Sequence, residues 1–345
     1  VTGHTNDEAG HKPVVIVGVT VVHPEREGAA VLQRDATVLI HGGRIQAVLQ
    51  NASIELVQGT TVIDGRGTWV IPGLIDSHVH FFQSANLYTR PDIADFNAVV
   101  PYEQETARNR ARLDATFKVW LASGVTGVVD IGGNFWNFEV RDRTLGNALA
   151  PRMAVAGPLI SFVARPQFTP GDPPIILIES IEAAHALVAR QLAHGTDYIK
   201  VWFIHRPGDD LAAQEAIVKA AGDAAHAAGK KLAVHATELV TAKAAATGQA
   251  TGAESYCEFI ALAKRNNAIY CPTIFVYAGY ALALSNQWRA TPEELRRADP
   301  EILAAMDDLN EMPRDQIPER VAKAMADAKP PAVQTIAMQN LMKVH

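Results

Sequence analysis

The 345-residue sequence contains two cysteines, Cys257 and Cys271. That is too few for a disulfide framework or a cysteine-based zinc site. Basic residues are in slight deficit, 31 Lys and Arg against 37 Asp and Glu, for a formal net charge of −6. A nucleic-acid surface wants a basic stripe, so no such partner is expected. No apolar run approaches the roughly 20 residues that cross a bilayer. The longest, Ile269 to Tyr280, is interrupted by Pro272 and Gly279. No membrane partner is expected either. Repeats at solenoid periods are absent. The chain starts with Val1 and the polar stretch Thr2 to His11. This reads either as a mature end left by leader removal or as an artificial boundary of the sequence, and the first reading slightly favours a periplasmic or secreted location over the cytoplasm.

What remains is 48% hydrophobic, ample for one large domain and a small one. Residues 1–72 predict a small β domain, with 1–12 flexible. Its strands are the β-branched or apolar runs Val14–Val22, Ala36–Ile40, Ile45–Leu49 and Thr61–Ile63, separated by turn-formers such as Asp64-Gly65-Arg66-Gly67. Residues 73–345 predict alternating short strands and helices. Strands are expected at Leu74–Val79, Val125–Ile131, Met153–Ala156, Tyr198–Phe203 and Lys231–Ala236. Helices are expected from Tyr102 to Ala122, after Ser180, and from Asp210 to Gly229. Beyond these, Glu258–Asn267 reads as a helix, Ile269–Val276 as a strand, and Thr291 to the end as helices and loops. Alternation of this kind implies parallel βαβ units. At this length a (β/α)8 barrel of the TIM type is the first expectation. A doubly wound open sheet is second, because no G-x-G-x-x-G turn follows a strand.

The sharpest motif is His78-Val79-His80. Residues two apart on a strand share a face, so both imidazoles can reach one metal ion. The motif closes a strand, at the rim where barrels place their sites. Lys200 lies inside the apolar run Tyr198–Trp202, where a buried ammonium is costly unless it is paired or chemically altered. Either it forms an ion pair, or its amine takes up carbon dioxide and becomes an anionic oxygen ligand. His235 ends the following strand. Arg206 and Arg90 are placed on rim loops, and solvated roles suit both better than substrate binding. His205 and Tyr88 share that status. Asp130, at a strand end, is expected to cap or pair.

The segment Val70-Ile71-Pro72-Gly73-Leu74-Ile75-Asp76-Ser77-His78-Val79-His80 resembles the first-strand signature of the amidohydrolase superfamily. Gly195-Thr196-Asp197-Tyr198-Ile199-Lys200 resembles the fourth strand of its prolidase-like branch, close to the imidazolonepropionase-like proteins. Leu232-Ala233-Val234-His235-Ala236 resembles the fifth. The likeness spans residues 14 to 280. It implies a β-sandwich built from the N-terminal strands beside the barrel. It also implies one or two zinc ions, other divalent metals being acceptable. His78 and His80 would hold the buried ion, Lys200 would bridge as a catalytic carbamate, and His235 would hold the outer ion. In that branch a metal-activated hydroxide cleaves amide bonds in dipeptides, N-acyl amino acids and related small molecules. A homo-oligomer is compatible with this reading.

Two expected ligands are missing. The family's sixth-strand histidine should fall between Ala246 and Glu258, and no histidine occurs between His235 and His345. Glu258 stands near its place but also reads as the start of the next helix. The eighth-strand aspartate, which shuttles the proton, is absent as well. The barrel is therefore expected to be incomplete. Two further readings follow: the same fold with an incomplete metal site, acting as a binding module, and lactone or cyclic-amide hydrolysis on the same metals.

Overall fold

The computed structural model describes residues 12–50, 55–84, 86–168, 171–247, 256–269 and most of 271–327. The chain divides into two compact units, Val1–Gly73 and Leu74–His345.

The described part of the first unit is one mixed sheet. Its strands are β1 (Val14–Val22), β2 (Leu32–His41), β3 (Arg44–Gln50), β4 (Thr61–Asp64) and β5 (Trp69–Val70). β2 and β3 follow β1 antiparallel on one side, while β4 and then β5 run parallel along its other side. The two short strands lie end to end because Gly65 turns the chain against β1. A Cβ there would sit 2.8 Å from Val19 Cβ and 2.9 Å from Ile16 Cγ2. Val19, Val21, Ala36 and Val38 form the small core. Among the described residues there is a single sheet, not the two layers of a sandwich.

The second unit opens with β6 (Leu74–Val79), α1 (Tyr102–Ala111), α2 (Leu113–Ala122), β7 (Val125–Asp130), α3 (Asn137–Thr144) and β8 (Arg152–Val155). It continues through β9 (Leu159–Ser161), β10 (Ile175–Leu177), α4 (Ile181–Ala193), β11 (Tyr198–Trp202), α5 (Leu211–Ala227), β12 (Lys231–His235), α6 (Leu239–Thr247) and α7 (Tyr256–Arg265). Short helices occupy much of 292–327. β6, β7 and β8 form one parallel sheet; β9, β11 and β12 form another, with β10 alongside β9. A backbone bond joins the two: Asp197 N–H, just before β11, donates to Val155 O of β8 at 2.9 Å. β6, β7, β8, β11 and β12 succeed one another in chain order; β9 lies beside β11, and β10 flanks β9 on the far side, out of chain order. This is a TIM-barrel-like α/β architecture rather than a doubly wound sheet.

Side-chain alternation sorts β11 into two faces. Ile199, Val201 and Phe203 pack with Val188 of α4 and Ile217, Val218 and Ala221 of α5. Each such side chain contributes roughly 1.5–3 kcal/mol by leaving water. Tyr198 takes the opposite face, against Ile131 and Ala156. Lys200 and Trp202 share that face by the same period of two.

Local signals account for the helix ends. Ser180 accepts from Ala183 N–H, and Asp210 accepts from Ala213 N–H. Three sequence expectations need correction. The helix expected from Tyr102 to Ala122 is broken at Arg112, whose guanidinium is drawn to Asp299 and Glu301. α3 was not foreseen. Of the strand expected at Ile269–Val276, the described residues Ile269, Cys271, Thr273 and Val276 are not in a strand. Glu258 lies within α7. Residues 248–255, where a sixth-strand ligand was sought, and 328–345 lie outside the described residues.

Candidate active site

The candidate side chains gather at the carboxyl ends of the parallel strands. His78 lies within β6 and His80 follows it by one residue, their ring centroids 5.4 Å apart. His78 N–H bonds back to Asp76 Oδ1 at 3.0 Å, tightening the strand end. His80 Nδ1 lies 2.7 Å from the carbonyl oxygen of Gly132, just past β7. A carbonyl only accepts, so Nδ1 carries the hydrogen and Nε2 keeps its lone pair for a ligand.

Gly132 also touches the third element of the site. A Cβ built on it would lie 3.4 Å from Lys200 Cβ and 2.9 Å from Gly157 O, and its φ of +108° is one that L side chains rarely adopt. One glycine thus supports His80 through its carbonyl and borders Lys200 through its α-carbon. His235 ends β12, where it pairs in register with Trp202, two residues beyond Lys200. The Trp202 and His235 ring centroids are 6.0 Å apart.

Lys200 is 4% exposed. Burial holds its ammonium down to about 8, opposed only by the nearby Cys271. A pKa near 8 raises the neutral amine fraction at pH 7 by about 300-fold over a solvated lysine. Among the described residues no carboxylate forms an ion pair with it. Burial likewise holds His78 and His235 down to about 4 and His80 to about 3, and the charge of Lys200 lowers all three further. Asp76 partly offsets this for His78, and Glu238 for His235. All four sequence-derived residues therefore sit within electrostatic reach of one another. Neutral imidazoles are the protonation state a divalent ion requires, whereas Lys200, with a pKa of about 8, stays mostly protonated at pH 7 until its proton is displaced.

The donor set fits a metal in type, with one gap. Among the described residues no group of three or more His, Cys, Asp or Glu is close enough to hold an ion without Lys200. Asp130 does not fill the gap. It is fully buried and bonded to Asn137 Nδ2 at 2.5 Å and to Gly132 N–H at 3.2 Å, on the side of α3. Burial lifts its carboxyl to about 8.

Sequence reasoning missed the residues at the mouth. Arg165, on the loop after β9, lies 4.7 Å over the Trp202 ring. Asp92, with a side chain 1% exposed, pairs with Arg90 at 2.7 Å and lies 3.5 Å from Arg165 Nε. The charge of Arg90 reaches His80 and His235. Nothing local marks Arg165, since loops far apart in sequence assemble its surroundings. Arg206 is exposed, and His205 bonds Gln214 at 2.9 Å.

Known proteins resemble this chain in sequence and in fold. Adenine deaminase 2 of Shouchella clausii (strain KSM-K16) is 45% identical over 47 residues, which are 14% of this chain and 8% of that protein. The chain thus matches less than a tenth of that curated relative. A prolidase structure complexed with N-methylphosphonate-L-proline superposes with a TM-score of 0.62 at 22% identity, covering 94% of this chain and 85% of that one. A Xaa-Pro dipeptidase with bound methionine gives 0.62 at 21%, covering 87% and 75%. Residues 69–274, which carry His78, His80, Lys200 and His235, match the amidohydrolase family, and the chain belongs to it.

Proposed function

We propose that the protein is a metal-dependent hydrolase that cleaves a C–N amide bond in a dipeptide, an N-acyl amino acid or a related small molecule. One observation carries the reading: three partly buried imidazoles at the ends of β6 and β12 lie within electrostatic reach of a buried lysine with no carboxylate partner among the described residues. Zinc is the ion this set suits, and one or two ions are accommodated by treating Lys200 as a carbamate. A bound zinc ion would polarise the scissile carbonyl and make water acidic enough to act near neutral pH. The chain's own part is positional. Gly132 fixes the tautomer of His80, Trp202 lies beside His235, and Arg165 of the loop after β9 lies over Trp202. An incomplete (β/α)8 barrel of the TIM type, preceded by a small N-terminal β domain, is the proposed fold.

The superposition on a prolidase and a Xaa-Pro dipeptidase supports peptide-like substrates. The test is metal analysis of protein produced with added zinc and bicarbonate, followed by turnover on dipeptides and N-acyl amino acids. Bound zinc near one equivalent or more, with turnover lost in His78→Ala, is expected. Clean protein with no bound divalent metal and no turnover would overturn the proposal. A second reading, the same fold as a binding module, is favoured by the missing carboxylate ligand among the described residues. It predicts low metal occupancy and no turnover.

A further inference from the structure

The Arg165 guanidinium is unusual for a side chain that is 20% exposed. Its Nε is buried with no hydrogen-bond partner. The guanidinium makes no hydrogen bond to any described residue. Its neighbours are the face of Trp202 at 4.7 Å and the Asp92 carboxylate at 3.5 Å, the latter outside hydrogen-bond geometry. Asp92 is engaged on both oxygens by Arg90, at 2.7 and 2.8 Å. It therefore steadies Arg165 without saturating it. A guanidinium lying over an indole, with no hydrogen bond to a described residue, is open to an acceptor from a ligand.

The position says where that acceptor would come from. Trp202 lies two residues beyond Lys200 on the same face of β11 and beside His235. A group bound by Arg165 is thus one side-chain layer above the candidate metal ligands. Two guanidinium groups against one carboxylate leave a single positive charge among Arg90, Arg165 and Asp92. Arg206 and Arg320 add charge from exposed positions, where water screens them.

We infer that Arg165 is the specificity-determining residue for a carboxylate monoanion on the substrate, gripped by the guanidinium fork while the amide bond lies deeper, toward Lys200. The inference rests on the hydrolase reading for the word substrate; the carboxylate subsite itself rests on geometry alone. Trp202 lies under the guanidinium and Asp92 flanks its Nε. A neutral amide in place of the carboxylate would accept fewer of the charge-assisted bonds and leave the positive charge uncompensated.

The test is calorimetric titration of the full chain, as purified and after chelation, with N-acetyl-L-leucine and its neutral isostere N-acetyl-L-leucinamide. Chelation matters because a carboxylate can also bind a metal. In the chelated protein the acid is expected to bind roughly 10- to 100-fold more tightly than the amide. That preference should vanish in Arg165→Gln, survive in part in Arg165→Lys, and stand undiminished in Arg206→Gln. Arg165→Lys serves as the informative variant where Arg165→Gln melts earlier than the wild type. Equal binding of the two ligands, no measurable binding of the acid, or a preference untouched by both Arg165 variants would each overturn the inference. An intact preference in a metal-loaded chain that hydrolyses no amide would defeat the hydrolase reading and leave the subsite standing.

Discussion

His80 and Gly132 lie on successive parallel strands and are joined by one hydrogen bond of 2.7 Å from the imidazole Nδ1 to the glycine carbonyl. The bond depends on a backbone conformation, φ +108°, that a side chain would strain. Gly132→Ala should therefore cost roughly 1–3 kcal/mol from backbone strain alone. The crowding against Gly157 O and Leu159 adds to it. Urea unfolding measures the loss, and zinc affinity should fall in parallel because His80 loses its anchor. Unchanged stability and unchanged affinity together would show that Gly132 has no supporting role.

Lys200 should be a net burden on the metal-free fold. Its folded pKa, near 8, lies below the 10.5 of a free lysine. Between those values the unfolded chain binds more protons, so stability rises with pH across that window. Below pH 8 the cost of burying the charge is present in full. Lys200→Met removes that cost while keeping the volume. The variant should melt at a higher temperature than the metal-free wild type at pH 7, the advantage shrinking toward pH 10.5, and should lose bound metal and turnover. Lower melting temperature at pH 7 would point to a structural ion pair instead.

Acid should act through the imidazoles. His78, His80 and His235 titrate at about 4, 3 and 4 in the fold, against 6.5 when solvated. The unfolded chain takes up protons first as pH falls, so metal-free stability should drop from about pH 6.5 downwards. Denaturation midpoints at pH 7, 6, 5 and 4 follow this. The slope should be shallower in His235→Asn. A midpoint that is flat across the range would contradict the buried, neutral assignment.

The chemistry was legible where it is written in a short period. His78 and His80 declare themselves by alternation on one strand, and Lys200 by its place among apolar neighbours. His235 shows itself by ending the next strand. Other features depend on contacts between distant segments, which no local window holds. α3 was missed because Asn137–Thr144 carries charged residues around only Phe138 and Val140 as apolar anchors. Arg112, at the break between α1 and α2, pairs with carboxylates nearly two hundred residues away. Arg165 is invisible in sequence for the same reason, because Trp202, Asp92 and Arg90 reach it only through the fold.

Asp130 offers a test on the outer side of the strands. Its carboxyl titrates near 8 in the fold against 3.8 in the open chain. The folded protein holds the proton that the unfolded one releases, so this group lowers stability as pH climbs from about 4 to about 8. Asp130→Asn should remove that decline. Asn137 Oδ1, buried without a partner, can accept from the new amide after a flip of its own side chain. Chemical denaturation at pH 5, 7 and 9 should show the variant gaining on the wild type as pH rises. A constant difference between the two would rule the mechanism out.

The placement of Trp202 between the Arg165 guanidinium and the His235 ring turns one indole into an optical gauge. A ligand on Arg165 or an ion on His235 changes the polarity and charge on one of its flanks. Emission from this position, isolated by subtracting a Trp202→Phe spectrum, would report filling from above and metal loading from beside as two separate signals in one sample.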